Sequence, residues 1–241
     1  MRKKERAQMA VDLLKEEYPD AICSLEYERP YELLISTRLS AQCTDARVNI
    51  VTKDLFAKYT SLEMLANADL AELESIIRPC GLYKTKARDI INLSRMLIDE
   101  YDSQLPPSLE ELTKLPGIGR KTANLIMGDI FHQPAYVCDT HCIRITNLLG
   151  LSQGKNPLQV EKQLRAVLPM DRANDFCHRL VLHGRDVCVA NRPKCDRCCM
   201  KDFCSFFQGD APSDKAATES KPSSKPARKK SAAKSSKSKA K

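Results

Sequence analysis

The sequence predicts an all-α fold, and three observations lead there. Apolar residues recur at helical spacing along most of the 241 residues. Stretches that alternate apolar and polar residues, as half-buried strands do, are absent. The eight glycines are sparse and fall mostly between helical segments. Val48, Val51 and Leu55 mark one helical face, Ile90, Leu93 and Leu97 a second, and Val160, Leu164 and Leu168 a third. Ser108 with Glu111 three residues later predicts a capping box after Pro106-Pro107. Asn156-Pro157 predicts an N-cap followed by proline at the first helical position, and Pro169 the end of that helix.

The length allows one large or two small cores, and 42% hydrophobic residues fit a globular chain. No stretch is long and apolar enough to span a membrane. The N-terminus leads into an amphipathic segment without the apolar core of a signal peptide, which predicts a cytoplasmic protein. The net charge of +8 is unevenly placed. From Ala211 onward stand nine Lys and one Arg against Asp214 and Glu219, so all the net basicity sits in that segment. The segment is Lys, Ser, Ala and Pro without periodicity, and is expected to be disordered. It is either a solubilising appendage or a sliding contact to phosphates. As a contact it would steepen the log–log salt dependence by roughly 0.9 per phosphate neutralised. The other residues balance in charge, so any nucleic-acid face there must come from local placement.

Leu115-Pro116-Gly117-Ile118-Gly119 lies between two helical segments, 108–114 and 120–131. Pro116 is expected to stop the first. Gly117 and Gly119 permit positive φ and close approach of another backbone. Amides at the start of the second helix are then free to face a phosphate oxygen, a grip independent of base sequence. Lys121 falls in the first turn of that helix, where a cation is poorly placed electrostatically. A nucleophilic amine must give up its proton, which desolvation or nearby positive charge promotes. The helix dipole and Arg120 both push that way, although a lone lysine here is more often a solvated surface group.

Eleven cysteines, an odd number, argue against a disulfide framework. Cys188, Cys195, Cys198 and Cys204 follow a C-x6-C-x2-C-x5-C spacing, which can close around a zinc ion or an iron–sulfur cluster. With one short pair only, the compact wrap fits a [4Fe–4S] cluster better; Cys199 reads as a bystander. Arg192, Lys194, Arg197 and Lys201 make this a basic loop suited to a phosphate backbone.

Together, these motifs resemble the endonuclease III family of DNA glycosylase/AP lyases over about residues 1–208. The resemblance includes Leu39-Ser40-Ala41-Gln42-Cys43-Thr44-Asp45, Gly81-Leu82-Tyr83-Lys84-Thr85-Lys86-Ala87, Leu115 to Asn124, Val137-Cys138-Asp139-Thr140-His141, His183-Gly184-Arg185 and the four cysteines. It implies a six-helix barrel over residues 23–134 with the helix-hairpin-helix at about 108–131. It implies a cluster domain from residues 1–22 plus 135–210, and an active site between the two. Lys121 would be the nucleophile and Asp139 its partner, acting on damaged, oxidised pyrimidines in duplex DNA and on abasic sites. Gln42 and Leu82 match the residues that fill or wedge the duplex; Leu115, Gly117, Gly119, Arg120, Arg192 and Lys194 would contact DNA. The implied enzyme is monomeric, carries a [4Fe–4S] cluster, associates with the nucleoid and needs no added metal or nucleotide.

Several residues carry a second reading. Asp139 before Thr140 makes a good N-cap, and Asp45 is expected to cap the next helix. Leu82 could be an ordinary core leucine and Gln42 a loop amide. His141, His178 and His183 read as structural hydrogen-bonders. Ser36-Thr37-Arg38 is more polar than the family pattern, and Tyr136 and Cys138 are less aliphatic, so these positions are expected to alter the lesion pocket. The rival functions are a monofunctional adenine mismatch glycosylase, which typically lacks the nucleophilic lysine, and a non-catalytic DNA-binding or redox-sensing module.

Overall fold

The computed structural model describes residues 1–209, so the basic segment from Ala211 lies outside the described residues. Those residues form α-helices and short 3-10 turns, with no strand among them. None of the described helices is long and apolar enough to cross a membrane. In chain order the helices are α1 (Lys3–Glu17), α2 (Pro30–Leu39), α3 (Asp45–Lys58), α4 (Leu62–Ala66), α5 (Leu70–Ile77) and α6 (Tyr83–Tyr101). There follow α7 (Leu109–Leu112), α8 (Arg120–Asp129), α9 (Thr140–Leu148), α10 (Pro157–Arg165) and α11 (Ala173–Asp186).

Local chemistry sets most of the starts. Thr44, Ser61, Asp69, Ser108, Asp139 and Asn156 each accept a backbone N–H from the first turn they precede. Thr44, not Asp45, therefore caps α3. The Ser108 box is half-formed. Ser108 Oγ accepts the Glu111 N–H at 3.1 Å, but the Glu111 carboxylate turns to Tyr101 and Lys114 instead. Helix α7 ends at Leu112, short of Pro116. Helix α10 ends at Arg165, and Leu168 is buried in the turn beyond it.

Two apolar cores result. The first gathers α2 to α8 around residues such as Leu34, Leu55, Leu73, Ile90 and Ile126. The second joins Val11 and Leu14 of α1 to Ile145, Leu164, Phe176 and Phe203. Val11 and Leu14 are fully buried. At roughly 2 kcal/mol each before entropy, they hold α1 against chain that follows it by well over a hundred residues. Leu125 of α8 packs against both cores. Polar ties also cross between them: Asp129 with Asn174 and His178, Glu161 with Arg120 and Asn124, and Asp45 with Arg185.

Candidate active site and cysteine cavity

A cleft of about 200 Å³ is lined from both cores. Thr37, Ser40 and Cys43 come from the α2–α3 corner, Lys121 and Leu125 from α8, and Asp139 and His141 from the start of α9. His178 and Arg185 of α11 complete it.

Lys121 is exposed, at the second position of α8, and lines this cleft. The turn before it is built on two different glycines. Gly117 has φ +74°, and a Cβ there would come within 2.4 Å of Arg38 Nε and 2.6 Å of Asp89 Oδ2. The hairpin therefore rests on the Arg38–Asp89 ion pair, whose closest approach is 2.6 Å. Gly119, the N-cap of α8, has φ −100°, which any residue adopts, and a Cβ there would meet nothing within 4 Å. Positive φ is thus used at Gly117 alone. Nothing in the protein's own packing asks for glycine at 119, whereas a close external neighbour would. Helix α8 has no side-chain cap, so no side chain claims its leading amides.

Asp139 combines its two readings. Its Oδ1 accepts the Cys142 N–H at 2.7 Å and caps α9, while the residue lines the cleft with Lys121. Beside it, burial lowers the pKa of His141; Asp139 opposes this, and Arg144, Arg185 and Lys121 add to it. The imidazole is therefore uncharged near neutral pH.

Arg120 departs from the expected arrangement. Its guanidinium makes two 2.8 Å bonds to Glu161, which is buried and also held by Arg165. Burial alone would raise the Glu161 carboxyl, but the two arginines hold it below its ordinary value. The positive neighbour invoked for Lys121 is thus compensated by Glu161. Leu115 is 2% exposed within the first core, so its side chain serves packing.

Gln42 and Leu82 are both exposed, at φ +57° and +49°. Leu82 is 54% exposed, which removes the core-leucine alternative. Gln42 lies between Ser40 and Cys43 of the cleft wall. Of the departures from the family pattern, Thr37 reaches the cleft. Arg38 lies under the hairpin, Ser36 is buried, and Tyr136 and Cys138 belong to the second core. Asp45 pairs with Arg185 at 2.8 Å and accepts from Ser24. His178 bonds Asp129 at 2.8 Å, and His183 lies between the Tyr18 hydroxyl and Cys198 Sγ.

Cys188, Cys195, Cys198 and Cys204 line one small cavity of about 30 Å³, which Cys199 does not line. Among the described residues no three His, Cys, Asp or Glu side chains are gathered as a single metal ion requires. Four thiols spread around a shared cavity fit the donor set of a multi-atom cluster. Arg144 donates to Cys188 Sγ at 3.4 Å, a contact across 44 positions that no local signal announces. Arg192 is exposed, whereas Lys194 and Arg197 share Asp186 at 3.4 and 3.6 Å.

The family model described as HhH-GPD superfamily base excision DNA repair protein matches residues 35–170. The chain is 40% identical over 207 residues to Endonuclease III of Synechocystis sp., spanning 86% of this chain and 94% of that protein. Identity to Endonuclease III of Bacillus subtilis is 40% over 201 residues, spanning 83% and 92%. The chain belongs to the endonuclease III family. It is a base-excision DNA repair enzyme, a DNA glycosylase and abasic-site lyase. Among solved structures, a trapped Endonuclease III–DNA covalent intermediate matches with TM-score 0.82 at 41% identity, covering 87% of this chain and 99% of that one. A thermostable thymine-DNA glycosylase, 22% identical with TM-score 0.73, shares the fold. The same architecture thus carries this endonuclease III chain and more distant glycosylases.

Proposed function

We propose that this endonuclease III chain binds duplex DNA, takes a damaged nucleotide into the cleft and removes the base through Lys121, with Asp139 as its partner. The observation that carries this is that Lys121 and Asp139, from helices of different cores, line one cleft. The unprotonated Lys121 Nζ attacks the anomeric carbon of the deoxyribose. The glycosidic bond breaks, its electron pair leaves with the base, and the base takes up a proton. The Asp139 carboxylate stabilises positive charge on the sugar or accepts the proton shed by the attacking amine. The sugar ring opens to an iminium joining Nζ to the former anomeric carbon. Loss of the neighbouring sugar proton sends electrons toward the 3′ phosphate, which departs and cuts the strand. Water then hydrolyses the imine and frees the lysine. An amine serves both halves because it can form an iminium, which a hydroxyl, thiol or carboxylate nucleophile cannot.

Extrusion of the nucleotide costs a few kcal/mol, which oxidation damage reduces by weakening pairing and stacking. Oxidised pyrimidines are the substrate class that membership of the endonuclease III family supports. Gln42 and Leu82 occupy the space left in the duplex, and the amides at Gly117 to Lys121 grip the backbone. Leu115 contributes through its main chain, and Arg120 through its amide. Arg192 and Lys194 approach phosphates from the cysteine loop.

Cys188, Cys195, Cys198 and Cys204 would hold a [4Fe–4S] cluster, which would act as a structural clip for the basic loop. The proposed division into two domains, residues 23–134 and residues 1–22 with 135–210, is supported by the presence of two apolar cores. The enzyme is proposed to work as a monomer at the nucleoid.

The deciding experiment is incubation with abasic-site duplex and borohydride. A covalent protein–DNA adduct is expected, and Lys121→Ala abolishes it. A wild-type protein that gives neither adduct nor strand cut would falsify the assignment.

A further inference from the structure

Lys86 is fully buried, and among the described residues its charged or titratable neighbours are Cys80, Cys43 and Arg38, with no carboxylate beside it. Its ammonium donates to three backbone carbonyls, those of Leu39 and Ala41 at 2.8 Å and of Cys80 at 2.9 Å. An ammonium has three donors, so all are used. Burying a charge this way is expensive unless every donor is satisfied. The three carbonyls belong to two separate loops. Leu39 is the last residue of α2, and Ala41 directly precedes Gln42. Cys80 stands two residues before Leu82, the N-cap of α6.

Both loops need holding. Gln42 and Leu82 sit in left-handed backbone that non-glycine residues adopt only when their surroundings impose it. The Arg38–Asp89 pair also joins α2 to α6, but it bonds side chain to side chain and takes up none of the carbonyls of these two loops. Lys86, whose own N–H bonds the Leu82 carbonyl at 3.0 Å, ties the start of α6 to the end of α2.

We propose that Lys86 is a positioning residue that sets Gln42 and Leu82 in one fixed relation, so that the two enter the duplex as a unit. This rests on the assignment of those two residues to the duplex interior. Lys86 is itself out of reach of DNA and acts through the carbonyls it holds.

The test uses the full-length protein with Lys86→Met, Lys86→Gln and Lys86→Arg, beside Gln42→Ala and Leu82→Ala. Two single-turnover rates are measured. One is base excision from a lesion-containing duplex. The other is strand cleavage at an abasic site in a single-stranded oligonucleotide, where no opposite base must be separated and no gap filled. Lys86→Met is expected to depress the duplex rate about tenfold more than the single-strand rate, with Lys86→Arg recovering part of the difference. Equal loss in both assays, or no loss on duplex, overturns the proposal. If Gln42→Ala and Leu82→Ala leave the ratio of the two rates unmoved, the assignment to the duplex interior falls, and the proposal falls with it by that separate route. Should the Lys86 variants not fold, the Gln42→Ala/Leu82→Ala double variant decides. Loops held by one ammonium give a combined loss about threefold or more below the product of the single losses, and a simple product overturns the proposal.

Discussion

Helices α6 and α8 begin in comparable ways. Neither N-cap, Leu82 or Gly119, supplies a side-chain hydrogen bond, and neither first turn contains an acid. Each places a lysine close to its start, Lys86 in one and Lys121 in the other. The surroundings then divide the two. Lys86 is enclosed and gives its three protons to carbonyls of neighbouring loops. Lys121 is exposed and lines the cleft, and its one charged sequence neighbour is occupied by Glu161. The same residue type near the same kind of helix end is enclosed where backbone carbonyls converge on it, and stays exposed where the helix end opens on a cleft.

The sharpest way to break this comparison is to exchange activity for stability at the two lysines. Lys121→Ala is expected to lower base excision by about a thousandfold or more, as removal of a nucleophile does. Its unfolding free energy should stay within about 0.5 kcal/mol of the parent, because the side chain is exposed. A large fall in stability would mean that Lys121 holds the hairpin together. Lys86→Met should behave in the opposite way, costing about 3 kcal/mol by denaturant titration, since it strands buried carbonyls. An unchanged midpoint there would show that the three bonds contribute little.

Asp139 allows cap and chemistry to be separated. Asparagine caps a helix about as well as aspartate. Asp139→Asn should therefore keep the melting temperature while slowing base excision about a hundredfold. Asp139→Ala adds a stability loss of about 1 kcal/mol. If the asparagine variant works at full rate, capping is all that Asp139 does. The two hairpin glycines give the smaller effects. Gly117→Ala should cost about 2 kcal/mol, because the new methyl meets Arg38 and Asp89 and the backbone is left-handed. Gly119→Ala should leave stability within a few tenths of a kcal/mol. Its effect should appear as several-fold weaker binding to undamaged duplex in a titration, and identical binding would remove the close approach inferred there.

Features written within a few residues were legible in the sequence. Thr44 aside, the caps at Ser108, Asp139 and Asn156 and the apolar periodicity of α3 and α6 all follow from local chemistry. The hairpin, Lys121 and the cysteine spacing are local as well. What was not legible depends on partners far along the chain. Glu161 lies 41 positions from Arg120, and the carbonyl of Leu39 lies 47 from Lys86. Such pairs leave no mark on periodicity, so Arg120 read as a free cation and Lys86 as one more member of a motif. Leu115 and Leu82 show the same limit. Both are leucines at turns, yet packing buries one and leaves the other 54% exposed. The pairing of Asp139 with Lys121 came from family resemblance, because eighteen residues of separation say nothing about facing walls.

The ties on either side of the cleft differ in how easily they part. Asp45 and Arg185 meet at 2.8 Å with side chains 24% and 47% exposed, a setting in which water readily replaces the bond. Asp129 and His178 meet at the same distance with only 10% of each side chain exposed, and Asn174 adds a further bond. Any widening of the cleft therefore costs least at the Asp45–Arg185 tie, where water can take the place of the bond, and most at Asp129, whose partners are shielded from it.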